Sequence, residues 1–133
     1  MEYAIENEYL IVTVTTWGAQ VKSVVRKFDD VEHMWQADKS VWGYHAPILF
    51  PHTGKVVDDL IETKGEVYQA KQHGFARLME HTLVRQTEDT IVMELRSSEE
   101  TLRIFPFAFR LVSTFTLDGD TLHHKLTVEN WDA

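Results

Sequence analysis

Residues 109–128 read FRLVSTFTLDGDTLHHKLTV, and this stretch decides the fold class. Apolar and polar residues alternate over residues 109–117 and again over residues 122–128. An alternation with a period of two is the pattern of a β-strand that buries one face. Between the two runs, Asp118-Gly119-Asp120 predicts a tight turn, because glycine adopts positive φ without strain. The stretch therefore predicts a β-hairpin.

The same kind of pattern recurs along the rest of the chain. Short strands are predicted at residues 9–16, 21–28, 31–35, 65–70, 81–86 and 90–96. Helical periodicity is not sustained over any long window, although residues 98–101 can form one helical turn. We therefore predict an all-β fold, an antiparallel β-sandwich, with residues 1–133 forming a single domain.

Two segments interrupt the strands. Residues 36–44 are predicted to form a surface loop that carries the aromatic ring of Trp42. Residues 45–55 contain Pro47 and Pro51, which cannot donate a ladder hydrogen bond, so this segment is predicted to be a crossing or an edge. Histidine and lysine side chains of this segment therefore lie on irregular backbone.

The composition excludes several classes of partner. The chain has 21 acidic and 13 basic residues and a formal charge of −8, which argues against binding to nucleic acid or to an anionic membrane surface. It contains no cysteine, so disulfide and thiolate-metal sites are excluded. The amino terminus lacks the pattern of a signal peptide, and no apolar run approaches the length of a membrane span. We expect a cytoplasmic location.

The candidate site is the stretch QHGFAR at residues 72–77, in which His73 and Arg77 are four residues apart. Gly74 has no side chain, so a ligand can approach the backbone there, and Arg77 offers five hydrogen-bond donors. The alternative is a buried histidine with a satisfied hydrogen bond and an arginine in a surface ion pair. Trp35 and Trp42 can present an aromatic face to a ligand, but such residues are more often core or loop anchors.

The seven histidines do not predict a metal site. None of them stands at His-x-His or His-x-x-x-His spacing, which is typical of metal ligands on strands and helices. His45 and His52 belong to the proline-bracketed segment, and His33 and His81 have no partner at a recognisable spacing. We expect no bound metal.

Four blocks of the chain, taken together and in order, resemble the aldose 1-epimerase (galactose mutarotase-like) family, and most closely its LacX-type branch. The blocks are Trp42 with HAPILFP at residues 45–51, HGFAR at residues 73–77, Thr101 with FPFAFRL at residues 105–111, and VEN at residues 128–130. The resemblance implies a β-supersandwich that binds a sugar, free or phosphorylated, and interconverts its anomers without a cofactor.

The resemblance also implies roles for particular residues. His73 matches the family's first active-site histidine, and Arg77 matches the arginine that ends the same block. Lys55 falls near the position of a sugar-contacting arginine, which keeps the positive charge but not the planar guanidinium. Gly74 and Trp42 are further candidates for substrate contact. A second histidine, an aspartate and a glutamate of the family's site have no counterpart here, so we expect the chain to be the amino-terminal half of a larger supersandwich.

Three functional hypotheses follow. The first is an aldose 1-epimerase-like enzyme in which His73 is a general acid or base for ring opening, a reaction that also needs a second group with a different pKa. The second is a β-sandwich that binds carbohydrate without catalysis. The third is an inactive fragment whose last strand leaves an unpaired edge, which predicts self-association.

Overall fold

Ten β-strands, each antiparallel to its sheet neighbours, account for most of the regular structure in the computed structural model, which describes residues 1–132. The strands are β1 (Glu2–Glu6), β2 (Leu10–Thr15), β3 (Gln20–Arg26), β4 (Val31–Glu32), β5 (Leu60–Thr63), β6 (Glu66–Gln69), β7 (Thr82–Gln86), β8 (Thr90–Arg96), β9 (Phe109–Asp118) and β10 (Thr121–Asn130). The all-β prediction is confirmed.

The strands form two four-stranded sheets and a separate hairpin. The first sheet has the order β1-β2-β3-β4, the second has the order β10-β9-β8-β7, and β5 pairs with β6. Thr121 pairs with Asp118, so β9 and β10 are joined by the tight turn that the sequence predicts. Within each sheet the paired strands are consecutive in the chain, because short turns favour antiparallel meanders.

The inner faces of the two sheets share one hydrophobic core. Alternate residues of β2 are buried, as are alternate residues of β8 and most of β9, which is why period-two patterning was informative. The buried core side chains drawn from these strands include Leu10, Val12, Val14, Ile91, Met93, Leu95, Phe109, Leu111, Phe115 and Leu117. These residues hold the two sheets together as an antiparallel sandwich.

Four phenylalanines extend this core toward the segment that joins the sheets. Phe50, Phe75, Phe105 and Phe109 contact one another with ring centroids 5.0–6.2 Å apart, several of them edge to face. Aromatic rings prefer such tilted arrangements over face-to-face stacking. The cluster therefore anchors residues 50 and 75, which lie on either side of the candidate site, to the sandwich.

Three local expectations need correction. Strands Glu2–Glu6 and Leu60–Thr63 were not predicted, and the strand expected over residues 31–35 pairs only at Val31–Glu32. The helical turn expected at residues 98–101 continues as the helix α1, Glu99–Ile104, which Ser98 and Thr101 begin with reciprocal capping hydrogen bonds. Short 3-10 helices lie at Val57–Asp59 and Ala76–Leu78.

Strand β10 is at the edge of its sheet and is poorly covered. Its even-numbered residues lie on the face that carries the core, yet the side chains of Leu126 and Val128 are 49% and 57% exposed. His124, on the same face, stacks on Phe115 with ring centroids 4.2 Å apart. The inner face of β10 therefore presents apolar surface to solvent. Within residues 1–132, the structure has no helix with the length and apolar character that crossing a membrane requires.

Candidate functional site

The candidate site is built where the segment around Phe50 contacts the block at residues 72–77. The backbone N–H groups of Phe75 and Ala76 both donate to the carbonyl oxygen of Phe50, at 2.9 and 3.2 Å. Phe50 and Gly74 also form an isolated parallel bridge. The proline-bracketed segment is thus a crossing strand-like piece that fixes the block through backbone atoms.

Gly74 is required by this close approach. Its φ is +71°, and a Cβ atom at this position would lie 2.1 Å from the Phe50 carbonyl oxygen and 2.7 Å from Cδ of Pro51. A residue with a side chain cannot occupy that space, and positive φ adds strain for any residue except glycine. Gly74 therefore brings the block into contact with the crossing segment.

His73 also has positive φ, at 65°, which is uncommon for a residue with a side chain. Its backbone N–H donates to the Gly54 carbonyl oxygen, and its ring Nδ1 accepts from the Gly54 N–H, both at 2.9 Å. Because Nδ1 accepts, the proton of the neutral ring is on Nε2. The imidazole is therefore held in one orientation and one tautomer, with an N–H donor at Nε2.

Arg77 lies on the 3-10 helix Ala76–Leu78 and turns back over the block. Its Nη2 donates to the Gln72 carbonyl oxygen at 3.2 Å, and its guanidinium carbon lies 4.9 Å from the centre of the Tyr44 ring. A guanidinium over an aromatic face is attracted by the ring quadrupole. The remaining nitrogens of Arg77 make no other hydrogen bond among the described residues.

The aromatic loop reaches the block through Tyr44 and not through Trp42 directly. The rings of Trp42 and Tyr44 are 5.8 Å apart, and the Trp42 carbonyl oxygen accepts from the Trp35 indole N–H at 2.8 Å. Half-exposed Trp42 therefore lies one aromatic ring away from Arg77. The rings of Trp42 and Tyr44 thus form an aromatic surface beside the block, and Tyr44 links this surface to Arg77.

Gly54 places the backbone of Lys55 next to His73. Gly54 makes both hydrogen bonds to His73, so the backbone of Lys55 begins one residue from the imidazole, and its side chain is exposed. His73, Gly74 and Arg77 thus belong to one block, the backbone of Lys55 adjoins this block through Gly54, and Trp42 lies beyond Tyr44.

Two residues of this region were missed by sequence reasoning. The ring of Tyr44 packs against the guanidinium of Arg77. The side-chain oxygen of the buried Gln20 accepts from the backbone N–H groups of His45 and Ala46 at 2.7 and 2.9 Å, and these hydrogen bonds hold the end of the aromatic loop. Tyr44 could have been found from its place next to the HAPILFP block. Nothing in the sequence around Gln20 marks it, because its contact crosses 25 residues.

A cavity of about 260 Å³ lies on the other side of Gly74. Its walls are mostly apolar and come from the crossing segment, the β5–β6 hairpin, the block and α1. His73, Arg77 and Lys55 are not among its lining residues. No group of three or more metal-ligating side chains is assembled within residues 1–132.

Comparison with known proteins places this geometry in a family. The family model for aldose 1-epimerase matches residues 1–132. The plasmid-encoded protein LacX of Lactococcus lactis subsp. lactis is 32% identical over the whole chain, which spans 46% of that relative.

Solved structures agree with this assignment. A galactose mutarotase related enzyme from Lactobacillus acidophilus is 37% identical with a TM-score of 0.96, over 98% of this chain and 43% of that one. A galactose mutarotase-like protein from Lactobacillus casei is 34% identical with a TM-score of 0.96, over 99% of this chain and 45% of that one. The chain thus spans about half the length of the relatives it matches, with which it shares the mutarotase-like β-sandwich. This chain belongs to the aldose 1-epimerase family.

Proposed function

We propose that the chain provides the His73 side of a sugar site in a protein that interconverts the α and β anomers of an aldose. In this reaction a base removes the proton of the anomeric hydroxyl while an acid protonates the ring oxygen. The C1–O5 bond breaks, the C1–C2 bond rotates, and the ring closes on the other face. The reaction needs two groups with different pKa values and no redox step.

The observation that carries the proposal is the fixed imidazole of His73. Because Gly54 occupies Nδ1, the neutral ring presents Nε2–H, so we assign to His73 the role of donor to a sugar oxygen. A donor at this position orients the sugar and stabilises the negative charge that develops on the ring oxygen as the C1–O5 bond breaks, and the acid that the reaction also needs protonates that oxygen. Membership in the aldose 1-epimerase family supports the same role.

The neighbouring residues are proposed as substrate contacts. Arg77 retains guanidinium N–H groups beyond its bond to the Gln72 carbonyl, and these suit hydroxyl groups or a phosphate on the sugar. Lys55 supplies a second positive charge, Gly74 allows close approach, and Trp42 with Tyr44 offers an aromatic surface for the apolar face of the ring. A sugar phosphate would be distinguished from a free sugar by its dependence on Arg77 and Lys55.

Polarimetry on a freshly dissolved single anomer tests the proposal. It is applied to this chain and to the natural protein in full, with His73→Asn as the test variant and His33→Asn as the control, since the exposed His33 ring makes no hydrogen bond among the described residues. We expect the His73 variant to lose about 10²-fold to 10³-fold in rate, the range for removal of a positioned hydrogen-bond donor to a developing negative charge. The proposal would be contradicted if His73→Asn left the rate of the natural protein unchanged, or if the natural protein in full exchanged anomers no faster than buffer.

A second candidate function is carbohydrate binding without catalysis. It is favoured by the surroundings of His73, because no carboxylate within residues 1–132 is hydrogen-bonded or ion-paired to the imidazole. Calorimetric titration with sugars separates the two candidates. Binding that His73→Asn weakens, together with no acceleration of anomer exchange by the natural protein, would favour the binding module.

We also propose that the isolated chain self-associates through β10. Within residues 1–132 the strand pairs only with β9, so its outer edge keeps backbone groups without a strand partner beside the exposed Leu126 and Val128. Light scattering at increasing concentration tests this, with Val128→Lys against Leu102→Lys, a control on the exposed side of α1. We expect only Val128→Lys to shift the chain to the monomer. A monomeric wild type at high concentration would exclude self-association through β10.

A cytoplasmic location stays a prediction that cell fractionation can test.

A further inference from the structure

His81 is buried behind the block, with only 3% of its surface exposed, and takes no part in the proposed chemistry. We propose that His81 is a positioning residue, which sets the direction of Arg77 by holding the carbonyl group of Ala76. This inference rests on the proposed function of Arg77 as a substrate contact. It adds a residue that does not touch the sugar.

The first step of the argument is the hydrogen bond of the His81 ring. Its Nε2 lies 3.0 Å from the Ala76 carbonyl oxygen, which can only accept, so Nε2 carries the proton. Its Nδ1 is buried without a partner among the described residues. Burial also lowers the pKa of His81 below its ordinary value of 6.5, so the ring stays neutral in this tautomer.

The second step is the clamp on the backbone around Arg77. The backbone N–H of His81 donates to the Thr16 carbonyl oxygen, and the backbone N–H of Gly18 donates to the Met79 carbonyl oxygen, both at 2.8 Å. Gly18 lies so close that a Cβ atom there would be 2.8 Å from the Arg77 carbonyl oxygen. The peptide after Arg77 is therefore packed against Gly18, and the carbonyl group of the peptide before it accepts the hydrogen bond of the His81 ring.

The third step concerns the side chain of Arg77, whose buried Nε makes no hydrogen bond among the described residues. Its guanidinium makes a 3.2 Å hydrogen bond to the Gln72 carbonyl and a ring contact at 4.9 Å with Tyr44. These contacts do not fix the backbone of Arg77, so the guanidinium moves when that backbone moves. If the Ala76 carbonyl is released, the peptide can rotate and the guanidinium moves, and a displacement of about 1 Å at a substrate contact is enough to weaken binding or rate strongly.

Kinetics on the natural protein in full test the role, using His81→Phe, which removes the donor, and His81→Gln, which keeps an N–H. A displaced substrate contact raises KM, whereas a merely structural defect lowers the number of active molecules and so reduces kcat at unchanged KM. We expect His81→Phe to raise KM by about fivefold to tenfold with kcat within about twofold, and His81→Gln to restore KM to within about twofold. In the Arg77→Ala background, His81→Phe should have no further effect on KM. An unchanged KM in His81→Phe, or additive effects with Arg77→Ala, would overturn the inference.

A second measurement does not depend on catalysis. Nitrogen-15 NMR of the wild-type chain should show His81 as the Nε2–H tautomer, and the Nε–H resonance of Arg77 should shift in His81→Phe but not in His81→Gln. A shift of this resonance in a protein that does not exchange anomers would leave the positioning role standing and refute the proposed function. A wild-type Nδ1–H tautomer, which can be read even if neither variant folds, would refute the positioning role.

Discussion

Replacement of Gly74 by alanine tests whether the block is held by its close approach to Phe50. The new Cβ would lie 2.1 Å from the Phe50 carbonyl oxygen, well inside the 3.0 Å that real Cβ atoms keep. The carbonyl must therefore move, and it is the acceptor for the N–H groups of Phe75 and Ala76. The substitution should break or weaken both hydrogen bonds at once.

The expected magnitude can be worked from these contacts. Loss of two backbone hydrogen bonds costs about 1–3 kcal/mol in total. Positive φ at a residue with a side chain adds about 1–2 kcal/mol. We therefore expect Gly74→Ala to lower the free energy of unfolding by roughly 2–5 kcal/mol, which corresponds to a melting temperature lower by about 4 °C for each kcal/mol.

Gly119→Ala is the matched control. Gly119 has a φ of +57°, but a Cβ atom there would have no neighbour within 4 Å, so only the backbone strain remains. Urea unfolding of both variants should place Gly119→Ala about 1–2 kcal/mol below the wild type and Gly74→Ala clearly lower. Equal losses in the two variants would show that the contact with Phe50 does not hold the block, and the description of the site would have to change.

Three further outcomes are expected. Burial lowers the pKa of both His81 and His124 below 6.5, so the unfolded chain binds more protons and stability should fall as pH drops below that value. Urea midpoints at about pH 7.5 and about pH 5.5 should differ less in the His81→Gln, His124→Gln double variant than in the wild type, and an equal difference would contradict this assignment. Ser98→Ala removes the cap of α1 and should cost about 1 kcal/mol in urea unfolding, whereas no measurable loss would mean that the cap contributes nothing. Tyr44→Leu should weaken sugar binding by about twofold to fivefold in calorimetric titration while Tyr44→Phe keeps it, because the ring face and not the hydroxyl contacts Arg77; equal affinities would argue against that contact.

Local signals explain why the β9–β10 hairpin could be predicted. Its two long alternating runs flank a turn with glycine, so the pairing is settled by residues that are close in sequence. Strand Glu2–Glu6 lacks this advantage, because its only apolar side chains are Tyr3, Ala4 and Ile5, and its structure depends on pairing with β2. Strand Leu60–Thr63 is similarly short, and it follows the acidic pair Asp58-Asp59 and contains Glu62.

The shortened strand at Val31–Glu32 has a different cause. The Glu32 carboxylate accepts the backbone N–H groups of Val24 and Met34 at 2.8 and 3.2 Å, and also the hydroxyl of Ser23. A side chain thus takes the place of a continued ladder between the strands, a competition that residue preferences for strands do not express. Hydrogen bonding to these groups lowers the pKa of Glu32 even though burial opposes it.

The site divides in the same way. His73, Gly74 and Arg77 were predicted as site residues because they stand together in one block, whereas Tyr44 and His81, which contact this block, lie outside it in the sequence. His81 in particular looked like a histidine without a partner, since its acceptor is a backbone carbonyl and carries no sequence signal. A contact between a side chain and a backbone carbonyl leaves no pattern in the sequence, so this part of the site is seen only in the three-dimensional structure.

The double hydrogen bond to the Phe50 carbonyl has a consequence for how such a site can diversify. Main-chain atoms of Phe75 and Ala76 join the block to the crossing segment, and Gly74 must lack a side chain at this contact. The side chains at positions 72, 73 and 77 take no part in these two hydrogen bonds, so they can vary without breaking them. A descendant of this chain could exchange its imidazole or guanidinium for other groups and present a new substrate preference on an unchanged scaffold.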